Sequence, residues 1–238
     1  MGEVQPLLFL TGNLGKLAEA QQILGPLGYQ VSQFLIEGQA PEIIEPQTDS
    51  LKVVAGEKLR QAREMLSSLG RGDEAVLVED SGLFIDSLGG FPGVFSSYAL
   101  TTIGCSGILR LLQGIGDRPP DAGASDELSG IAAYGGGRGA HFQAVAALWD
   151  GQQTFFGVGT CPGRIALAAT AGNGFGYDPI FIPDDLDQGG QPVRSGERGV
   201  LSTEGIPFGG VELAVKQEFS QRRRALDALI LAIDAPSA

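Results

Sequence analysis

The stretch Leu7-Leu-Phe-Leu-Thr-Gly-Asn-Leu-Gly-Lys16 passes from a short apolar run, through a turn, into a segment with apolar residues at helical spacing. This pattern predicts a buried strand over 7–10 and a helix over 14–24, which Gly25 and Pro26 would end. The alternation then continues with a strand over 29–35, a helix over 51–69 and a strand over 76–78. Strands that alternate with helices are typical of an α/β sheet.

The second half of the chain adds antiparallel character to this sheet. Residues 142–149 and 154–158 have strand patterns, and the Asp150-Gly151 pair between them suits a hairpin turn. The predicted sheet is therefore mixed. A last amphipathic helix is predicted from about Ser220 to Ile233. Two Gly-rich stretches, near 114–140 and 184–210, lack periodicity and are predicted to be long loops, with flexible insertions and mobile lids as the alternatives.

Composition excludes several classes of protein. The chain has 238 residues with 43% hydrophobic content, enough for a sizeable core, and its net charge of −12 would repel a polynucleotide. Its two cysteines, Cys105 and Cys161, form no disulfide framework, which favours a reducing compartment. The apolar start is too short for a signal peptide, and no run is long enough to span a bilayer. We expect a soluble cytoplasmic protein.

The turn Thr11-Gly-Asn-Leu-Gly-Lys16 is a candidate phosphate site, because it lies between a predicted strand and a predicted helix. The backbone N–H groups and the dipole at a helix N-terminus favour an anion, and Lys16 adds a full charge. The alternative is an ordinary turn in which Asn13 caps the helix and Lys16 is solvated. The spacing matches neither a Walker A loop nor a dinucleotide fingerprint.

A second motif, Glu79-Asp-Ser-Gly82, places two carboxylates at the end of a predicted strand, where open α/β sheets bind ligands. Neighbouring strand residues point to opposite faces, so one of the two acids reaches a shared site unless the chain turns there. We select Asp80, which is nearer the expected turn. The alternative is an Asp that stabilises the turn itself.

Magnesium is the metal that the acidic residues suggest. Glu42 and Glu45 lie in the loop after the second strand and can add a carboxylate to Asp80; the alternative is that both are solvated. Mg²⁺ takes one or two carboxylates and completes its shell with water and phosphate. The residues that zinc prefers do not cluster in this sequence.

The later motifs suggest a nucleoside site. Phe175-Gly-Tyr-Asp178 combines aromatic rings with an acceptor for a base or ribose; the alternative is a core strand with a tight turn. Lys216 and the run Ser220-Gln-Arg-Arg-Arg224 place cations at the last helix, which in isolation are more often solvated. The single histidine, His141, is expected to be structural, so a Ser-His-Asp mechanism has no support.

Four blocks in this order resemble the inosine triphosphate pyrophosphatase family. They are Thr11-x-Asn-x-x-Lys-x-x-Glu19, Glu79-Asp-Ser-Gly-Leu83 with Leu88-Gly-Gly-Phe-Pro-Gly93, Gly174-Phe-Gly-Tyr-Asp-Pro-Ile-Phe181, and Lys216 through Ser220-x-Arg-x-x-Ala-Leu226. The resemblance implies hydrolysis of non-standard purine nucleoside triphosphates such as ITP, dITP and XTP to the monophosphate and pyrophosphate. It also implies an elongated mixed sheet flanked by helices, one domain of two lobes over 1–238 with the active site in the cleft between them, and a homodimer.

The resemblance also assigns roles by position. Asp80 would bind Mg²⁺ and activate water, and Glu42 would be a second metal ligand. The residues implied to bind substrate are Thr11, Gly12, Asn13, Lys16, Ser81, Phe175, Gly176, Tyr177, Asp178, Lys216, Gln221 and Arg222.

Two departures from the family pattern concern the substrate base. The family has Ser-His-Arg where this chain has Ser220-Gln-Arg222, and Gln cannot carry the charge of a protonated His. The Tyr-Ser-x-Arg that often follows the Pro-Gly turn is Phe95-Ser-Ser-Tyr98, without the Arg. A pyrophosphatase with a shifted base preference and a nucleotide-binding protein without hydrolysis are therefore the alternative functions.

Overall fold

The protein is a mixed α/β structure with a central sheet flanked by helices. This computed structural model describes residues 4–113, 136–171, 175–194 and 196–235. The strands are β1 (Gln5–Leu10), β2 (Tyr29–Gln33), β3 (Val76–Ile85), β4 (Pro92–Gly93), β5 (Gly139–Trp149), β6 (Thr154–Ile165) and β7 (Phe181–Pro183). The helices are α1 (Leu14–Leu24), α2 (Leu51–Ser68), α3 (Ser96–Thr102), α4 (Gly104–Leu111), α5 (Leu213–Glu218) and α6 (Gln221–Asp234).

The sheet has the strand order β2-β1-β3-β5-β6-β7, with β4 paired to β3. β1 runs parallel to β2 and to β3, whereas β3 with β4 and β6 with β7 are antiparallel pairs. The predicted mixed sheet is therefore confirmed. None of the helices in the described ranges is long and apolar enough to cross a membrane.

The chain divides into two compact units. The first comprises Met1–Ser81, Ala144–Gly159 and Gln221–Ala238, and the second comprises Gly82–Gln143 and Thr160–Ser220. Each unit has its own buried apolar cluster. In the first unit this cluster joins β1, α1, β5 and α6 through residues that include Leu7, Phe9, Leu24, Ala146, Leu226 and Leu229. In the second unit it includes Leu83, Ile108, Ile165, Phe181, Phe208 and Phe219.

Helix boundaries in the first unit follow local sequence signals. Helix α1 has the predicted bounds, and the Asn13 side chain accepts hydrogen bonds from the backbone of Gly15 and Lys16 at its start. Helix α2 ends one residue before the predicted end, and the Ser50 hydroxyl accepts from the backbone N–H of Val53. These caps supply acceptors to N–H groups that lack a partner within the helix.

Strand β3 is much longer than predicted, and this overturns one expectation. The sequence predicts a strand over 76–78 followed by a turn at Asp80, but the strand continues to Ile85. A Cβ at Gly82 would lie 2.2 Å from the carbonyl oxygen of Gly93. Gly82 therefore permits β4 to approach β3 closely within the second unit, and is not a turn residue.

The other differences lie at strand ends and in loops. Strand β2 stops at Gln33, β5 begins at Gly139, and β6 extends to Ile165. Of the predicted loop near 114–140, residues 114–135 lie outside the described residues. The stretch near 184–210 is largely irregular, with isolated bridges from Leu186 to Pro192 and to Leu201.

Two glycines of β6 allow helix α6 to contact the strand through its backbone. A Cβ at Gly157 would lie 2.1 Å from the Ala225 carbonyl oxygen, and one at Gly159 would lie 2.1 Å from the Gln221 carbonyl oxygen. Real Cβ atoms do not come this close to backbone atoms, so larger residues here would displace the helix.

We expect Gly157→Ala to lower the free energy of unfolding by about 1–3 kcal/mol, because the added methyl group overlaps the α6 backbone. Gly25→Ala is the matched control, since Gly25 has φ −56° and a Cβ there would meet no atom within 4 Å. The control should change stability by less than about 1 kcal/mol. Urea denaturation of both variants measures the difference, and equal midpoints would contradict this account.

Candidate active site

The turn after β1 is organised around Asn13. The side-chain oxygen of Asn13 accepts hydrogen bonds from the backbone N–H groups of Gly15 at 2.9 Å and Lys16 at 3.2 Å. The backbone N–H of Asn13 donates to the Thr11 hydroxyl at 3.0 Å. The capping role considered as the alternative for Asn13 is therefore present. Two N–H groups of the helix terminus already have an acceptor, so the Lys16 side chain becomes the main donor that this turn can offer an anion.

Glu79 and Asp80 lie in the middle of β3 and point to opposite faces of the strand, as the pleat requires. Glu79 has the same orientation as Leu77, which packs with α1 and α6. Asp80 instead contacts Lys58 of α2. Each acid therefore has its own salt-bridge partner, although the charge of Lys16, the partner of Glu79, also acts to lower the pKa of Asp80.

Glu79 is the centre of a buried ionic group in the first unit. Its side chain is 0% exposed, with Oε2 2.7 Å from Lys16 Nζ and Oε1 3.3 Å from Arg222 Nε. Arg222 also pairs with Glu19. Burial by itself would raise the pKa of Glu79, but Arg222 and Lys16 lower this pKa to about 2. Glu79 is therefore ionised and anchors two of the predicted substrate residues.

Asp80 takes part in a second ionic group, which contains a residue that the sequence predictions omitted. Lys58 Nζ lies 2.7 Å from Asp80 Oδ1 and 2.6 Å from Glu45 Oε1. Burial raises the pKa of Asp80, and Lys58 offsets this effect only partly. Burial would lower the pKa of Lys58, but Asp80 and Glu45 raise it. The sequence does contain a signal for Lys58: it is a cation within the apolar stripe of α2.

The ionic group around Lys58 favours Glu45 over Glu42 as the partner of Asp80. Glu45 shares Lys58 with Asp80, whereas Glu42 is exposed and makes no ion pair to another described residue. The carboxylates of Asp80 and Glu45 fit Mg²⁺, which prefers hard oxygen ligands. One oxygen of each already lies beside a cation, the Lys58 ammonium. No group of three or more His, Cys, Asp or Glu that could hold a metal occurs among the described residues. Water and phosphate oxygens would therefore have to supply the remaining ligands.

The second unit assembles the residues predicted for the nucleoside. Asp178 Oδ2 accepts from the backbone N–H of Phe175 at 2.8 Å and from Lys216 Nζ at 2.5 Å. Gly176 has φ +67°, a conformation that side chains other than Gly rarely adopt. Phe175 is 71% exposed, so it is available to stack on a planar ligand.

Tyr177 differs from its neighbours because its side chain belongs to the core. It is 4% exposed, and its hydroxyl donates to the Ser96 carbonyl oxygen at 2.9 Å. Burial raises the pKa of Tyr177 to about 12. The core alternative therefore describes the Tyr177 side chain, and Asp178 is also buried at 5% exposed, whereas Phe175 and Lys216 remain partly open to a ligand.

The structure places the remaining predicted residues as follows. Gln221 is the first residue of α6, and Arg222 follows it in the buried ionic group, so the alternative of a solvated cation does not describe Arg222. Ser81 is partly buried on β3, next to Asp80, and Gly12 is exposed in the Thr11–Lys16 turn. His141 stacks on Phe84 with ring centroids 5.1 Å apart, as expected of a structural histidine.

Comparison with known proteins places this geometry in a family. The Ham1 family model matches residues 7–232. A dITP/XTP pyrophosphatase of Thermococcus kodakarensis is 37% identical over 199 residues, which is 84% of this chain and 91% of the relative. One of Methanopyrus kandleri is 40% identical over 183 residues, covering 76% and 80%.

A solved structure agrees with these sequence relatives. The nucleoside-triphosphatase / dITP/XTP pyrophosphatase of Mycobacterium abscessus has a TM-score of 0.61 and 26% identity, covering 95% of this chain and 99% of that chain. The resemblance inferred from the four sequence blocks is thereby confirmed, and the chain belongs to the Ham1 family.

Proposed function

We propose that this protein hydrolyses non-standard purine nucleoside triphosphates, such as ITP, dITP and XTP, to the monophosphate and pyrophosphate. The observation that carries the proposal is the pair of ionic groups on β3. One contains Asp80 with Lys58 and Glu45, and the other contains Glu79 with Lys16 and Arg222. Together they supply cations for a polyphosphate and a carboxylate for metal and water. The names of the relatives support the same reaction.

The triphosphate would be held by the first unit. Lys16 offers its ammonium, and the Thr11–Lys16 turn, including Gly12 and Asn13, presents the end of α1 to an anion. Ser81 follows Asp80 on β3, so its side chain lies on the same face as Glu79 and adds a hydroxyl there. The catalytic contribution of these groups is positioning and electrostatic stabilisation of the departing pyrophosphate.

Mg²⁺ would be held by Asp80 together with Glu45, and Glu42 is the alternative second ligand. When bound, Mg²⁺ supplies positive charge for the phosphates and lowers the pKa of a coordinated water. Asp80 would orient the attacking water and accept its proton, while Lys58 keeps the Asp80 and Glu45 carboxylates close despite their repulsion.

The base would be recognised by the second unit. Phe175 stacks on the ring, and Asp178, oriented by Lys216 and by the Phe175 N–H, accepts hydrogen bonds from the base or ribose. Gly176 provides the positive φ that brings these two residues together. Tyr177 contributes by holding this segment against the core.

The reaction is tested by incubating the protein with ITP, XTP, dUTP and ATP in Mg²⁺ and measuring pyrophosphate. We expect pyrophosphate from ITP and XTP well above that from dUTP and ATP. Binding without turnover would favour the nucleotide-binding alternative. Equal rates on ATP and ITP would favour a shifted base preference. Omitting Mg²⁺ and adding a chelator should abolish the release.

Gln221→His is expected to change the ratio of kcat/KM for ITP to that for ATP by about tenfold, with a smaller change in kcat. The reason is that a protonated His adds a charge and a donor that Gln lacks. The matched control is Gln30→His at an exposed position of β2 in the first unit, which should leave the ratio within about twofold of the wild type. An unchanged ITP/ATP ratio in Gln221→His would remove this residue from base selection.

We also propose that the described units form one enzyme domain that acts in the cytoplasm as a homodimer. Among the described residues no disulfide joins Cys105 and Cys161, which supports a reducing location. Phe91, Phe95 and Tyr98 are 39%, 50% and 71% exposed and lie close together in sequence, which supports an apolar contact surface in the second unit. Light scattering should give twice the 24.7 kDa chain mass for the wild type and the chain mass for Tyr98→Glu.

A further inference from the structure

Glu79 is a buried acid that the proposed reaction does not use directly. It neighbours Asp80 in the sequence, but it faces the side of β3 that packs with α1 and α6. Its side chain is 0% exposed, so bulk solvent does not reach the carboxylate. A buried carboxylate is destabilising unless cations lie beside it. Lys16 and Arg222 are the two cations beside Glu79.

The two oxygens of Glu79 contact two different helices. Oε2 lies 2.7 Å from Nζ of Lys16 on α1, and Oε1 lies 3.3 Å from Nε of Arg222 on α6. Arg222 has a second acidic partner, Glu19. Among the described residues, Lys16 has one carboxylate within salt-bridge distance, that of Glu79. The loss of Glu79 would therefore affect Lys16 more than Arg222.

The charges of this group are balanced. Lys16 and Arg222 carry two positive charges, and Glu79 and Glu19 carry two negative charges. An ammonium has three N–H donors, so Lys16 can keep one on Glu79 while others remain for phosphate. Its side chain is 18% exposed, so part of the side chain remains open to a ligand.

We propose that Glu79 is a positioning residue, which holds the Lys16 ammonium ready for the triphosphate and ties it to Arg222 at the start of α6. This inference rests on the proposed function in taking Lys16 as a phosphate ligand. A lysine stem has high rotamer freedom, and fixing it before the ligand arrives removes an entropic cost from binding. Glu79 thus acts on affinity for the triphosphate without touching it.

The test measures binding of inorganic triphosphate with Mg²⁺ by calorimetry. In Glu79→Gln we expect the Kd to rise about tenfold or more, as for the loss of a hydrogen bond to a charged group. The KM for ITP should rise by a similar factor, and kcat should change by less than about threefold. Glu19→Gln makes the same chemical change at the other partner of Arg222, and should alter the Kd by less than about threefold.

A double-mutant cycle separates positioning from a general loss of structure. Since Glu79 acts through Lys16, Glu79→Gln should add less than about twofold to the Kd once Lys16→Met is present. If Glu79→Gln does not fold, as judged by thermal unfolding, Glu79→Asp replaces it in the same cycle, because this change keeps the charge and shortens the side chain. An unchanged Kd in the single variant overturns the proposal, and so does a full additional loss in the Lys16→Met background.

The triphosphate-binding experiment and the test of ITP hydrolysis can fail independently of each other. Inorganic triphosphate carries no base and its binding requires no turnover. A wild-type protein that binds it but releases no pyrophosphate from ITP would overturn the proposed function and leave the role of Glu79 supported. A wild-type protein that hydrolyses ITP while Glu79→Gln binds triphosphate normally would do the reverse.

Discussion

Asp80→Asn is expected to lower kcat for ITP by more than about 10²-fold, the size of effect typical of an acid–base group. The asparagine keeps the shape of the side chain but cannot accept a proton from water, and it is a weaker ligand for Mg²⁺. The fold should persist, because Asp80 is not part of the apolar clusters of either unit. Steady-state pyrophosphate release at saturating ITP measures the effect.

The control for Asp80→Asn is the same change at Asp73, which is exposed in the first unit. Asp73→Asn should keep kcat within about twofold, since exposed substitutions away from a site have small effects. Circular dichroism and thermal unfolding of both variants establish that they are folded. Near-normal turnover in folded Asp80→Asn would remove Asp80 from the mechanism.

Lys58→Met is expected to lower kcat/KM by about 10²-fold, or about 2.7 kcal/mol of transition-state stabilisation. Methionine has a similar length but no charge, so the Asp80 and Glu45 carboxylates lose the cation they share. Burial already raises the pKa of Asp80. Removing Lys58 should raise that pKa further and shift the acidic limb of the pH–rate profile to higher pH.

Lys52→Met is the matched control for Lys58→Met. Lys52 is on the same helix but is exposed, and its ammonium lies 5.2 Å from the centre of the Phe156 ring. Its replacement should leave kcat/KM within about threefold and the pH profile unchanged. If Lys58→Met lowers stability but has the pH profile of the wild type, the contact of Lys58 with Asp80 is structural and has no role in the reaction.

Local sequence signals predicted the helices of the first unit well. The bounds of α1 agree with the apolar spacing and with Asn13 at its start, and α2 agrees to within one residue. These signals depend on contacts within a few residues, which a sequence displays directly. Strand β3 was predicted too short because Ser81 and Gly82 resemble a turn. The contact that explains Gly82 comes from Gly93, eleven positions away in the chain and paired only in the folded sheet.

For the candidate site too, the sequence predicted some residues and only the structure revealed others. Residue type and order led to the prediction of Lys16, Asp80, Asp178 and Lys216 as site residues and to its connection with triphosphate chemistry. Lys58 was passed over because its one signal, a cation within the apolar stripe of α2, does not identify the residue it pairs with. Its partner Asp80 is on a different element, and the link between them is visible only as a 2.7 Å contact.

The sequence by itself determined the α/β class, the family resemblance and the chemical character of the site, because these depend on periodicity and on the identity and order of residues. Only the tertiary structure decided how the charges are paired. It separated Glu79 from Asp80 on opposite faces of β3, and it placed Arg222 beside Glu79 and Lys58 beside Asp80. The physical reason is that an ion pair depends on distance and burial, which are set when β3, α1, α2 and α6 pack together.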